Sequence, residues 1–204
     1  MNCHTEILSL EQKKMTSFIE LFKKRFVLVG TAIALQEHRK SIDFDLFVPQ
    51  REYLKGILIH GKIIKRFDSI LEYKNDHQRH YILNGVKAKR FAYLYDIPQE
   101  EILDLFARVP SLLFLAAMKC HALSGRGKWK DYVDLYFLIR KFGLATILSK
   151  ARKHFHCNDK LICNQLCYHD DIDYSEEVER MSHEVSKDEI NEYLITESLK
   201  MLDA

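Results

Sequence analysis

Asp43 and Asp45 alternate with Ile42, Phe44 and Leu46 in the segment IDFDLFV. That period of two places both carboxylates, with Phe47, on one face of a β-strand and the apolar set on the other. Acids at i and i+2 point the same way at short range, and magnesium takes hard oxygen ligands, usually one or two carboxylates with water and substrate phosphates. On a strand otherwise this apolar, two carboxylates without a cation or a metal to meet them are costly. Upstream, Gly30-Thr31 ends the β-branched run FVLVG and opens TAIALQ, a composition that reads strand, tight turn, helix. Glycine at such a turn lets the backbone approach a phosphate closely, and Thr31 adds a hydroxyl.

Other groups of reactive residues carry less. His154, His156, Cys157, Cys163, Cys167 and His169 hold ligand types for zinc but lack a paired C-x-x-C spacing, and Cys163 and Cys167 with Leu166 equally suit an apolar helix face. Arg126, Lys128 and Lys130 flank Trp129, a pattern that suits an RNA backbone with an indole beside a base. Lys62, Lys65, Arg66, Lys87, Lys89 and Arg90 would extend that surface if they lie on hairpins.

The elements that must position these residues follow from periodicity. Leu8, Leu10, Met15, Phe18, Ile19 and Phe22 recur at helical spacing behind Ser9 as an N-cap. Pro49 ends the acidic strand, Arg51 to Ile59 suits a short helix, and KIIKRF, ILEYK, RHYIL and VKAKRFAYLY read as alternating segments, with Asn84-Gly85 a type I′ hairpin turn. From Pro98 the pattern becomes helical: EEILDLF, SLLFLAAMKCHAL, KDYVDLYFLIRKF, ATILSKARKHF and a last helix near Asp188 to Leu202, after an acidic HDDIDYSEEVE loop. The expectation is an α/β core with its N-terminal helix over residues 1–97 and a helical region over 98–204 packing on it.

A net charge of +2 across 204 residues is too mild to announce a nucleic-acid binder by itself. Five cysteines in irregular spacing and no basic-then-apolar opening segment favour a reduced, cytoplasmic setting, and the longest apolar stretch, within SLLFLAAMK, is far short of a membrane span.

Two ordered blocks carry a resemblance. LVGTAIALQEHRKSIDFDLF resembles the glycine-glycine-threonine, His-Arg-x-Ser and Asp-x-Asp pattern of the AbiEii/AbiGii toxin family of nucleotidyltransferases, within the DNA polymerase beta-like superfamily, and LAAMKCHALSGRGKWKDYVDLYFLI resembles that family's second block. The resemblance implies a nucleotidyltransferase-fold mixed sheet with flanking helices, followed by a C-terminal helical region. It implies Asp43 and Asp45 as ligands of magnesium or manganese, and Gly30 and Thr31 on the triphosphate of an NTP substrate. Lys119 becomes a phosphate contact, Asp131 and Asp134 orient Lys119 or Arg126 or position substrate, and Arg39 and Ser41 are substrate or structural residues beside the metal strand. It further implies nucleotidyl transfer to an acceptor hydroxyl such as a tRNA end, release of pyrophosphate, and a cognate antitoxin as partner. The alternatives are a catalytically degenerate nucleotide-binding or regulatory protein on the same fold, and a small-molecule transferase of the antibiotic-modifying kind. The chain departs from the pattern at Val29, where the family has its first glycine, and in a shorter loop before His38. It departs again in GVKAKRFAYLYD, where a third carboxylate is replaced by basic residues near Lys89 or Arg90, leaving Asp96 or Asp68 as substitutes.

Overall fold

The computed structural model describes residues 8–20, 26–34, 43–49, 57–98, 101–103, 107–175, 178 and 185–203. Arg39, Ser41 and His38 lie outside the described residues, as do Ile42, Phe22, Cys3 and the segment 51–56. The chain divides into two compact units, Met1–Ser111 and Leu112–Ala204.

The first unit opens with two short helices, α1 (Leu10–Lys14) and α2 (Thr16–Glu20). Ser9 caps α1: its hydroxyl accepts from the Gln12 N–H while the Gln12 side chain accepts from the Ser9 N–H, so two otherwise orphaned donors are satisfied. Met15, Phe18 and Ile19 are buried as their spacing predicts, whereas Leu10 is exposed. Then follow β1 (Val27–Leu28), α3 (Gly30–Ala34), β2 (Asp43–Pro49), α4 (Ile57–Arg66), β3 (Ser69–Lys74), β4 (Gln78–Leu83), β5 (Val86–Tyr93), β6 (Glu101–Leu103) and β7 (Ala107–Val109).

Among the described residues these strands form one mixed seven-stranded sheet in the order β3-β4-β5-β2-β1-β7-β6. The run β3-β4-β5 is antiparallel, and Asn84 (φ 47°) and Gly85 (φ 83°) make the β4-β5 turn, both in the left-handed region that a type I′ hairpin requires. β2 then pairs parallel to β5 and antiparallel to β1. One sheet face is buried through Phe44, Leu46, Val48, Ala88, Arg90 and Tyr81. α4 covers part of it, His60 Nδ1 hydrogen-bonding the Tyr81 hydroxyl at 3.1 Å. The other face carries Asp43, Asp45, Phe47, Lys89, Phe91, Tyr93 and His80, all half-buried.

Two segments differ from the sequence reading. KIIKRF belongs largely to helix α4, because His60, Ile63 and Phe67 turn inward at helical spacing while Ile64 is exposed. Within EEILDLF the described residues are strand β6 where a helix was expected: Glu101 to Leu103 pair with Val109 to Ala107, extending the sheet beyond residue 97.

The second unit is helical: α5 (Leu112–Leu123), α6 (Trp129–Phe142), α7 (Leu144–Phe155), α8 (Asp159–Cys167) and α9 (Lys187–Leu202). α5 is apolar nearly all round, with Phe114, Leu115, Ala116, Ala117 and Cys120 fully buried, the composition of a helix enclosed by its neighbours; it packs against α6, α7 and α8. No helix among the described residues is long and apolar enough to cross a membrane.

Candidate functional site

The acid pair occupies the half-open sheet face, as its alternation predicts. Asp43 lies opposite Lys87 of β5 and Asp45 opposite Lys89. α3 is docked directly on the backbone of this strand: the Thr31 hydroxyl donates to the Asp43 carbonyl at 2.6 Å, and the Val29 N–H donates to the Asp45 carbonyl at 3.1 Å. A threonine hydroxyl has one proton to give, so Thr31, 1% exposed, spends it on the strand that carries the acids. Gly30 has a steric reason to be glycine. A Cβ there would lie 2.7 Å from Asp45 Oδ2, closer than real contacts allow, so the carboxylate occupies the space that the missing side chain leaves.

Lys89, expected from the sequence as part of a basic surface on a hairpin, does lie on the β4-β5 hairpin, but its charge is turned to the acid pair. Its ammonium forms an ion pair with Asp43 Oδ2, with side-chain exposures of 26% and 17%. Where a third carboxylate was expected stands a cation, on the strand next to the acids. Neither suggested substitute fills that place. Asp68 precedes β3, three strands from β2 and so roughly 14 Å away at the usual strand spacing, and Asp96 follows the end of β5; both are exposed. Among the described residues, no group of three His, Cys, Asp or Glu is arranged to hold a metal ion. Arg90, the other basic residue of this segment, points to the opposite face, where it is 1% exposed with its guanidinium 5.0 Å from the centre of the Phe26 ring.

Beside the acids the same face is aromatic. Phe47 lies 5.0 Å from Phe91 and 5.3 Å from Tyr93, centre to centre. His80 meets Phe91 at 5.8 Å and Tyr73 at 5.2 Å. Burial first, then the Lys89 charge, hold the His80 pKa below its ordinary value.

In the helical unit, α5 and α6 bring Lys119, Asp131 and Asp134 together. Lys119 Nζ is 2.6 Å from Asp131 Oδ1 and 2.8 Å from Asp134 Oδ2, both acids being fully buried. Arg126 Nε reaches Asp131 Oδ2 at 3.2 Å from a half-exposed position. The i, i+3 spacing of the acids put them on one helix face, and that face meets the lysine. Two cations thus balance two buried anions.

The remaining constellations resolve into structural roles. Trp129 is buried at the start of α6 against Tyr174 and Tyr132, so its indole offers no surface to a base, and Lys128 Nζ lies 4.0 Å from Asp173 Oδ2. Lys65 and Arg66 lie on α4 rather than on a hairpin. In the Cys/His cluster, Ile162, Cys163 and Leu166 form the buried face of α8, His154 lies edge-on against Phe114 at 5.1 Å, and His169 Nε2 hydrogen-bonds the Leu166 carbonyl at 2.8 Å. Burial raises the thiol pKa values of Cys157, Cys163 and Cys167, which disfavours the thiolate that zinc requires.

The mixed sheet followed by a helical region is a nucleotidyltransferase-like α/β fold. Two crystal structures from Helicobacter pylori share the architecture. JHP933 superposes with a TM-score of 0.56 over 95% of this chain and 90% of its own, at 15% identity. A candidate nucleotidyltransferase superposes with a TM-score of 0.55 over 96% of both chains, at 14% identity. No protein-family model matches the chain. The chain belongs to the same family as the uncharacterized protein aq_aa25 of Aquifex aeolicus (strain VF5), 30% identical in an alignment 176 residues long that covers 81% of this chain and 85% of that protein.

Proposed function

We propose that this protein is a metal-dependent nucleotidyltransferase, moving a nucleotidyl group from an NTP to an acceptor hydroxyl with release of pyrophosphate. The observation that carries this reading is the acid pair itself, held on a half-open face by α3, with the Asp45 carboxylate in the space left by Gly30 and a cation already against Asp43. These residues fit a divalent cation: the donors are hard oxygens, and the Lys89 ammonium stands in the kind of position such an ion would take. Bound between Asp43 and Asp45, magnesium or manganese would supply neutralisation of the charge that develops on the phosphoryl group.

The chain's own residues have distinct parts in this reading. Asp43 and Asp45 hold the cation, Gly30 keeps the Asp45 carboxylate in place, and Thr31 fixes the strand backbone. Lys119 with Asp131 and Asp134 ties α5 to α6, and Arg126 is the member of that group that reaches solvent. A role as the toxin of a toxin–antitoxin pair, with a cognate antitoxin as partner, rests on the likeness of the two sequence blocks to the AbiEii/AbiGii family. Lys89 favours a second reading, a nucleotide-binding or regulatory protein whose acid pair is neutralised internally.

Transfer of radiolabel from each α-labelled NTP to total RNA, with Asp43→Ala and Asp45→Ala as controls, tests the proposal. Label that appears with the parent chain and is lost in both variants supports it. Label that survives both substitutions sinks the assigned site, and nucleotide binding without transfer favours the second reading.

A further inference from the structure

We infer that the aromatic row beside the acid pair is a stacking platform for the unpaired bases of a single-stranded RNA acceptor. The inference rests on the nucleotidyltransferase reading above and names the acceptor of that same site. The row runs across four adjacent elements of the open sheet face: Tyr73 of β3, His80 of β4, Phe91 and Tyr93 of β5 with Phe47 of β2, and Tyr95 just beyond β5. Each ring lies 5.0–5.8 Å from the next.

Three features choose the occupant. The rings are half-buried or exposed on a sheet whose opposite face is the closed core, so the row is built on rigid strands and yet reaches solvent. Six contiguous rings exceed what the base of one mononucleotide can cover, which selects a strand carrying several bases over the incoming NTP. Cations flank the row where phosphates of such a strand would run: Lys87 is exposed on the same face, next to Lys89. Base stacking on sheet aromatics beside lysines is a recurrent solution for unpaired nucleic acid, tolerant of sequence because every base has a π-face. The row also begins where chemistry would need it, since Phe47 stands two residues along β2 from Asp45, on the same face. A strand lying on these rings would carry its terminal hydroxyl toward the acid pair.

Fluorescence anisotropy of the full chain with a labelled unpaired RNA oligonucleotide, an abasic oligonucleotide of the same length, the matching duplex and ATP tests the platform. The unpaired RNA should bind most tightly. Phe91→Leu should loosen it by about 5- to 150-fold, the effect of losing one stacked base, and Phe91→Trp should restore it. Tyr73→Ala, on the exposed edge strand, should weaken RNA binding and leave ATP binding unchanged, and it keeps the test open if Phe91→Leu fails to fold. Equal binding of the abasic strand, unchanged affinity in both variants, or an effect confined to ATP overturns the inference. So does an RNA affinity too weak to detect, which would leave the rings to a protein partner. The two readings separate cleanly. RNA binding that depends on the rings in a chain that transfers no nucleotide upholds the platform against the activity, and transfer to RNA that ignores the rings does the reverse.

Discussion

Replacing Lys89 with glutamine should tighten binding of a divalent cation to the acid pair. The ammonium and the Asp43 carboxylate form an ion pair only partly open to water, with exposures of 26% and 17%. A unit pair at ~4 Å is worth about 4 kcal/mol at an effective dielectric of ~20, and solvent access brings that down towards the ~0–1 kcal/mol of surface pairs. An intermediate ~1–3 kcal/mol is what an incoming cation must overcome to displace the ammonium, so Lys89→Gln should lower the Mn2+ dissociation constant by roughly 5- to 150-fold. Lys89→Glu goes further, supplying a third carboxylate opposite Asp45 and raising the number of bound ions from one to two. Titration of Mn2+ followed by the EPR signal of the free ion measures both quantities without reference to catalysis. In an Asp43→Asn background the effect of Lys89→Gln should vanish, because the two residues act as one unit. A change below about twofold, the size of an exposed pair's contribution, would refute the argument, as would a gain that persists in the Asp43→Asn chain.

Other perturbations give equally definite outcomes. Lys119→Met leaves two fully buried carboxylates facing a rim arginine, so it should cost ~3–5 kcal/mol, or roughly 6–20 °C in thermal melting; a loss below ~1 kcal/mol would show that the cluster does not hold α5 to α6. Gly30→Ala drives a methyl group against Asp45 Oδ2 and should lower nucleotide transfer by up to ~100-fold, with far-UV circular dichroism unchanged; full activity would remove the steric link between α3 and the acids. Burial lowers the pKa values of His60, His80 and His121. The folded chain therefore binds fewer protons than the unfolded chain below pH ~6.5, so stability is complete above that value and falls on acidification toward the lowered pKa values. Melting temperatures between neutral and mildly acid pH should decline on this account, and His121→Asn should flatten the decline.

The strongest sequence signals were those in which local pattern and tertiary role agree. The alternation around Asp43 and Asp45, the Asn84-Gly85 turn and the long helices from Leu112 to Phe155 follow from side-chain period and from the few residues that accept positive φ. KIIKRF was ambiguous because two adjacent isoleucines fit either period, and only the fold decides that Ile63 turns inward and Ile64 outward. Glu101 to Leu103 form a strand because β7 is there to pair with them, a non-local reason that composition does not carry. At the candidate site, the basic character of the third position was legible, but its partner was not: Lys89 and Asp43, 46 residues apart in sequence, meet only because β5 and β2 pair in parallel. The aromatic row was invisible for the same reason, its rings being drawn from four separate stretches of chain.

That parallel pairing also sets an order of assembly. β3, β4 and β5 are joined by short turns and need only local closure, whereas β2 must wait for the whole hairpin array before it has a parallel edge to join, and β1 pairs with β7 through Val27 and Arg108. Contacts so distant along the chain are slow to form, because loop closure is costly until they reward it. During synthesis the acids emerge from the ribosome long before Lys89 exists to meet Asp43, and β1 finds its second neighbour only after residue 108. A nascent chain therefore carries the acid pair without the strand that completes its surroundings until β5 has been made.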